Sequence, residues 1–524
     1  MPATPTDAPY AGNLLAAALR APSAGDEGRV FATQVGRPDL TYGALWDGGE
    51  RMAAALVALG VKPGDRVAMQ AEKSLEAVQL YLGVVLAGAA FLPLNTAYVP
   101  AEIDYFLGDA EPTVFVCDPA ALAALEPIAA KAGVAAVMTL DADGEGTMAD
   151  AAAAQAPGFA AAARGADDLA CILYTSGTTG RSKGAMLTHS NLASNAETLR
   201  DYWRFTPADR LIHALPIFHA HGLYVALNVT LVAGGALIFQ PKFDPDAVLA
   251  AMPAATALMG VPTFYTRLLD HPGMTREAAA GMRLFVSGSA PMLAETHARW
   301  TEATGHRILE RYGMTETSMN ASNPYDGDRR PGTVGFPLPG VEIIITDPET
   351  GAQLPAGETG MLEVRGPNVF KGYWRMPEKT AEEKRENGFF ITGDLAQISE
   401  DGYVSIVGRA KDLVISGGYN VYPKEVEGLI DDLPGVKESA VIGLPHADFG
   451  EGVAAVIAET APGSVDAEAV KAALRDRIAR YKQPRAVFVV AELPRNTMGK
   501  VQKNVLRETY KDAFAGVFLY IFNI

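Results

Sequence analysis

The sequence predicts an α/β fold with largely parallel sheets, and three features of the chain carry that prediction. Between residues 53 and 325, short apolar runs of strand length alternate with helical stretches. Over residues 335–365 the texture shifts to short strands broken by Gly and Pro. A fresh alternating segment begins after residues 408–412 and ends near 511. Alternating strand and helix periods are the pattern of parallel sheets covered by crossover helices. In order, residues 66–70 read as a strand before a helix over 74–86, residues 113–117 as a strand before a helix over 120–132, and residues 210–215 as a strand before a helix over 223–232. The Ala-rich stretch 151–163 reads as surface helix and loop, and 335–365 as a smaller β unit. No period of repeat-protein length occurs. The expected division is 1–410, 411–512 and an apolar tail over 513–524.

At 524 residues the chain is too long for one ordinary domain. Hydrophobic residues at 49% and charged residues at 20% give the balance of a soluble globular enzyme. The 44 Lys and Arg against 61 Asp and Glu leave a formal charge of -17, which argues against nucleic acid as a partner. Any anionic substrate must then be received by a local cluster of positive charge working against the global field. Cys117 and Cys171 each lie in an apolar run and read as core thiols. Residues 1–10 lack the cationic start and apolar core of a signal peptide. Residues 513–524 are too few to span a bilayer, which takes about 20 in a helix. They read as a docking or disordered extension, and the expected setting is cytoplasmic, with no membrane association.

Four segments carry chemistry. The first runs Tyr174, Thr175, Ser176, Gly177, Thr178, Thr179, Gly180, Arg181, Ser182, Lys183, Gly184, after an apolar strand over 169–173 and before a helix beginning near His189. Glycines let the backbone turn tightly around a ligand, and the hydroxyls with Lys183 supply donors to phosphate oxygens. Gly184 follows the Lys where the P-loop of kinases has Ser or Thr, so this is a different phosphate loop. The second segment is Arg311-Tyr312-Gly313-Met314-Thr315-Glu316-Thr317. Thr315 can donate to an α-phosphate, Tyr312 can stack on adenine, and Glu316 offers the oxygen ligand that Mg²⁺ requires. The third pairs Asp394 with Arg409, an acceptor for ribose hydroxyls beside a cation, and the fourth places a single Lys500 on a turn hinged at Gly499.

In this order the four segments resemble the adenylate-forming superfamily of acyl- and aryl-CoA synthetases, adenylation domains and luciferases. The resemblance covers residues 40–511. It implies a large N-terminal domain of stacked mixed α/β sheets with a small β unit, plus a small mobile α+β C-terminal lid. It implies ATP, Mg²⁺ and CoA as cofactor and co-substrates, with acyl-AMP as the intermediate. ATP and AMP would be held by Thr175, Ser176, Gly177, Thr178, Thr179, Gly180, Lys183, Ser289, Ala290, Glu310, Arg311, Tyr312, Gly313, Asp394 and Arg409, and the metal by Glu316 and Thr178. Lys500, Thr315 and Glu316 would be catalytic, Lys500 by contacting the acid carboxylate and the α-phosphate. Ser416, Gly417 and Gly418 would lie near CoA, and the lid would turn about Lys411 or its neighbour Asp412. An exposed, solitary Lys500 would also be a target for a lysine acetyltransferase and deacetylase, because acylation removes its charge.

The acid is argued from a second set of residues. His213, His219 and His221 fall in the stretch that lines the acyl pocket in the family, with His219 as a donor rather than a metal ligand. Arg267 and Arg283 matter more. A lone buried guanidinium is costly, and a dicarboxylate supplies its missing partner through the distal carboxylate. The alternative is that either Arg pairs with a structural carboxylate. Segments 93–98, 202–206, 260–267 and 320–327 make the chain most similar to malonyl-CoA synthetases, implying malonate or methylmalonate, with Ser287 and Met314 flanking the α-carbon. Competing readings are a short-chain monocarboxylate or aryl acid–CoA ligase, an adenylation enzyme loading a carrier protein, and a nucleotide sensor without catalysis.

Overall fold

The computed structural model describes residues 10–175, 182–416, 419–446, 449–475, 477–478, 480–496 and 499–514. The chain forms two compact units, one of Met1–Ile343 with Val364–Phe390 and one of Ile344–Glu363 with Ile391–Ile524. The border expected at 410/411 falls inside the second unit, and most of the tail lies outside the described residues.

The first unit holds two sheets. One has seven strands, ordered Gly372–Tyr373, Lys183–Thr188, Leu169–Thr175, Ala90–Pro93, Arg66–Gln70, Val114–Cys117 and Ala136–Thr139. Its centre is parallel, and its antiparallel edge begins where Lys183–Thr188 folds back on Leu169–Thr175. The other has nine strands, with Leu309–Met314, Leu284–Ser287, Ala257–Gly260, Arg210–His213, Ala236–Phe239 and Val30–Thr33 as its parallel run. Parallel strands need covered faces, and their fully buried apolar residues follow from that. The α/β prediction is borne out. Both cysteines are buried and free, as the apolar runs around them imply.

Local chemistry sets the element ends. Ser74 caps the helix Leu75–Leu86 by accepting from Ala77 N, and Thr188 caps His189–Tyr202 in a capping box with Asn191. The stretch expected as one helix over 223–232 is instead a wide π-type turn, His221–Leu227, running into the α-helix Asn228–Ala233. Apolar periodicity cannot separate these two forms, whereas the shift in register re-aims the histidines at the turn's start. Tyr265, Phe285 and Trp300 fill the core beneath the nine-stranded sheet, Trp300 edge-on to both of the others.

The second unit contains a four-stranded sheet of Glu342–Thr346, Gly360–Arg365, Phe390–Ile398 and Val404–Arg409, with the chain passing between units inside these strands. It also contains a five-stranded sheet in which Gly450–Glu459 pairs with Val436–His446 and Ala486–Val490, with helices Pro423–Asp431 and Ala467–Leu474 packed into its core. Among the described residues no helix is long and apolar enough to cross a membrane.

Tight helix packing in the first unit depends on one glycine. A Cβ on Gly83 would lie 2.6 Å from Met52 Cβ and 2.9 Å from Ala53 N, where Leu75–Leu86 crosses Tyr42–Ala58. Overpacking of this kind costs about 1–3 kcal/mol. Gly83→Ala is expected to lower the urea midpoint of the first transition, measured by circular dichroism.

Candidate active site

In parallel sheets ligands bind beyond the carboxyl ends of the strands. At that edge of the nine-stranded sheet the chain leaves Ala257–Gly260 at Val261, Leu284–Ser287 at Gly288, and Leu309–Met314 beside them. Ser287 is buried and its Oγ has no hydrogen-bond partner among the described residues. Ser289 adopts a left-handed φ of 70° and sets its Oγ 3.2 Å from His221 Nδ1. His221 is buried, and its Nε2 is also unpartnered.

Arg311 completes this group. Its side chain is buried, 5% exposed, and both Nε and Nη2 are sealed from solvent without an acceptor among the described residues. Burial pulls the guanidinium down to about 9. It lies flat over Gly288, where a Cβ would sit 2.4 Å from Cζ, so only glycine leaves room for it. Burial, then the charge on Arg311, hold His221 neutral far below its ordinary value. The arrangement is a buried, positive group in which Arg311 Nε and Nη2, Ser287 Oγ and His221 Nε2 have no partner among the described residues. Unpaired buried charge of this kind is retained where a ligand supplies the partner.

The sequence placed Arg311 with the nucleotide and assigned the acid to Arg267 and Arg283. Arg283 is corrected by its geometry. Its Nε donates to Asp209 Oδ1 at 2.6 Å and Nη1 to Trp203 O at 3.1 Å, at the amino end of Leu284–Ser287, the end opposite Ser287. It is a structural ion pair, the alternative already weighed. Arg267 is exposed on the helix Pro262–Leu269 and makes no ion pair among the described residues, so the cost of burial gives no argument for it. It stands one turn beyond Phe264. That ring stacks on Phe243 at 3.9 Å and lines, with Lys73, Phe218 and Pro216, a cavity of about 240 Å³. His219 is half-buried and accepts from His221 N through Nδ1. Met314 is half-buried beside Tyr312, whose hydroxyl lies 3.9 Å from its sulfur.

The second cluster gathers residues expected from the sequence to take phosphate and metal. Thr175 and Lys183 face each other across a hairpin whose loop, Ser176, Gly177, Thr178, Thr179 and Gly180 included, lies outside the described residues. Lys183 Nζ is 3.0 Å from Glu383 Oε1 and 4.1 Å from the centre of the Tyr373 ring. The Tyr373 hydroxyl lies 3.0 Å from Glu316 Oε1 and 2.6 Å from Glu383 Oε2. Glu316 and Thr315 occupy the tight hairpin between Leu309–Met314 and Ser318–Ser322. Gly313 permits that hairpin, since a Cβ there would meet Ser318 O at 1.8 Å. Glu310 accepts from Gly332 N at 3.2 Å, and Ala290 follows Ser289 in the same turn.

Within the second unit Asp394 and Arg409 are register partners on adjacent strands and form an ion pair at 2.7 Å, with Asp394 buried. Lys411 lies in the short turn Ala410–Asp412, where burial lowers its ammonium, and Asp412 pairs with Arg507 at 2.6 Å. Ser416 is buried, and Gly417 and Gly418 lie outside the described residues. Lys500 is exposed on a turn closed by its N–H donating to Asn496 Oδ1 at 2.9 Å, with Gly499 at a φ of 74°.

An anion pocket at strand ends, beside a glycine-rich phosphate hairpin with a carboxylate near it, defines an enzyme that handles ATP and an acid. The sequence agrees. Residues 21–374 match the AMP-binding enzyme family and residues 425–500 its C-terminal domain, and the chain belongs to that family. ATP-bound MatB from Rhodopseudomonas palustris superposes with a TM-score of 0.94 at 60% identity, covering 96% of this chain and 99% of that one. The malonate–CoA ligase of Arabidopsis thaliana is 36% identical, over 86% of this chain and 79% of its own length. The feruloyl-CoA synthase of an Amycolatopsis species is also 36% identical, over 91% and 96%.

Three buried imidazoles give the folded state a defined pH response. Burial, helped by Arg164 at His189 and by Lys73 at His213, lowers these residues to about 4 and about 3, and His221 falls well below its ordinary value. The unfolded chain then binds more protons than the native one below pH ~6.5, so stability is complete above that pH and is lost as the pH falls toward the folded values. Urea midpoints are expected to decline steadily from pH 7 to 5, and His213→Gln is expected to flatten the slope.

Proposed function

We propose that this chain is an ATP-dependent, AMP-forming acid–CoA ligase whose acid is malonate, with methylmalonate next. Overall identity supports this acid, since MatB is 60% identical and two malonate–CoA ligases are 35–36% identical, against 36% for the feruloyl-CoA synthase. The observation that carries the reading is Arg311. A buried guanidinium without an acceptor, flanked by the free Ser287 Oγ and His221 Nε2, suits a second carboxylate and is wasted on a monocarboxylate.

The chemistry follows from the charges. One carboxylate of the acid attacks the α-phosphorus of ATP, the bond to the bridging oxygen breaks, and pyrophosphate leaves. The thiolate of CoA then attacks the acyl carbon, the bond to the phosphate oxygen breaks, and AMP leaves. Anion must approach anion in the first step, so preorganised donors matter most there. Lys183 and the hydroxyl-rich hairpin take the outer phosphates, Thr315 the α-phosphate, and Lys500 the carboxylate and phosphoryl oxygens as they join. Glu316 offers a hard oxygen ligand suited to Mg²⁺, which would offset phosphate charge when bound. Asp394 and Arg409 take the ribose, and Arg267 stands at the acid's approach. The division 1–410 and 411–512, the hinge at Lys411, CoA at Ser416–Gly418 and regulatory acylation of Lys500 belong to the same proposal. One methyl is worth only about 1–3 kcal/mol in a pocket, so Met314 and Ser287 would set the methylmalonate limit weakly.

Truncating one partner of a buried charge pair costs about 2–5 kcal/mol. Arg311→Met should therefore lower kcat/KM for malonate by about 30-fold or more, with KM for ATP nearly constant and butyrate spared. A wild-type enzyme that prefers butyrate to malonate overturns the malonate assignment. Separately, Lys500→Ala should abolish malonate-dependent pyrophosphate exchange while chemically supplied acyl-adenylate still yields thioester. Equal loss of both half-reactions removes Lys500 from the first step.

A further inference from the structure

Lys183, the cation proposed above for the outer phosphates, already has a protein anion on it. Glu383 ends the helix Pro377–Glu383 and reaches Lys183 at 3.0 Å, with both side chains largely shielded, 15% and 21% exposed. The same Oε1 lies 3.1 Å from Lys379, one turn earlier on that helix. The other oxygen accepts from the Tyr373 hydroxyl at 2.6 Å. Burial alone would raise the Glu383 carboxyl, but hydrogen bonds from Tyr373 and Lys183 outweigh it and hold the group ionised, below its usual range. An acid at a helix carboxyl end opposes the local dipole, so its position depends on these partners.

We propose that Glu383 is a displaceable latch on Lys183, a stand-in anion that ATP must remove and that helps to expel pyrophosphate afterwards. The proposal rests on Lys183 as a phosphate ligand. When a triphosphate takes Lys183, Glu383 keeps Lys379, so its charge is never stranded. When the α–β bond has broken, the leaving pyrophosphate and Glu383 compete for the same ammonium, and the carboxylate's return shortens the stay of the product. Tyr373 joins the latch to the metal residue, because its single proton is shared between oxygens of Glu383 and Glu316. Moving Glu383 away frees that proton for Glu316 as the nucleotide arrives.

A competing intramolecular anion reduces apparent affinity by the fraction of molecules in which the cation is free. Glu383→Gln should therefore tighten both ATP binding, measured by calorimetry without acid, and pyrophosphate inhibition of AMP release, each by about threefold to tenfold. Lys379→Met removes the alternative partner, strengthens the latch, and should weaken both by a similar factor. Opposite signs from two neighbouring substitutions are the signature, since local damage to the helix would move both variants the same way. The latch is overturned if both variants weaken ATP, or if Glu383→Gln changes pyrophosphate inhibition by less than about twofold. Lys183→Met separates the two ideas. Unchanged ATP binding in that variant removes Lys183 from the phosphate site and the latch with it, leaving the acid preference to the malonate and butyrate comparison.

Discussion

A buried guanidinium with unmet N–H groups is a cost the rest of the chain must carry, and Arg311 is such a group among the described residues. Its place is fixed by the strand Leu309–Met314, which pairs in parallel with Leu284–Ser287. The absence of a side chain at Gly288 clears the space the guanidinium fills, and the π-type turn beginning at His221 brings an imidazole kept neutral partly by that charge. None of these features improves stability, and unpaired charge opposes it. They make sense together as a receptor held open for an anion, with binding energy available only when the right acid enters. This is how a protein of net charge -17 can attract a dianion, by a dry local cation rather than by its overall field.

The phosphate side is built on the opposite principle. Lys183 is satisfied in advance by Glu383, and Glu316 shares Tyr373 with it. A flexible ammonium with a rotatable stem can exchange one anion for another, whereas a planar fork sealed under a glycine cannot. In the proposed reading the acid pocket selects by leaving a group unmet, and the nucleotide pocket regulates by meeting one provisionally. The two share a single hairpin, since Arg311 lies on the strand that turns at Thr315 and Glu316. That short covalent link would keep the acid and the α-phosphate in a constant relation if they bind as proposed.

Much of this was legible in the sequence. Strand and helix alternation gave the parallel sheets, and the glycine-rich loop, the Tyr312–Glu316 run and Lys500 gave the family. The choice among arginines was not legible, for a physical reason. Arg283 is neutralised by Asp209, 74 residues earlier in the chain, and no local pattern announces that pairing. Arg311 sits inside a motif whose neighbours are expected to serve the nucleotide, so proximity in sequence grouped it with them rather than with the acid proposed for it. One local sign was available. Strand alternation places Arg311 on the face opposite Tyr312, toward the neighbouring strand's Gly288. The extra strand Lys183–Thr188 was hidden for a similar reason, because the glycines before it read as loop and its pairing with Leu169–Thr175 is set by the hairpin.

A comparison of buried cations sharpens what Arg311 means. Lys73 is buried as completely and likewise has no carboxylate, and burial pushes its ammonium far down. Yet Lys73 Nζ lies 2.8 Å from His213 Nδ1, 2.7 Å from His213 O and 2.7 Å from Gln240 O, three acceptors for three protons, with the Phe239 ring 4.4 Å away. With Nδ1 accepting, His213 carries its proton on Nε2 and donates it to Gly222 O at 2.8 Å, which pins the turn that presents His219 and His221. Lys73 is therefore a finished structural joint between the ends of strands from both sheets. The same folded core that supplies a complete shell to one buried cation leaves Nε and Nη2 of the other without an acceptor among the described residues. Packing was able to satisfy such a group, so the two unmet nitrogens of Arg311 support the proposed acid site rather than a limit of the fold.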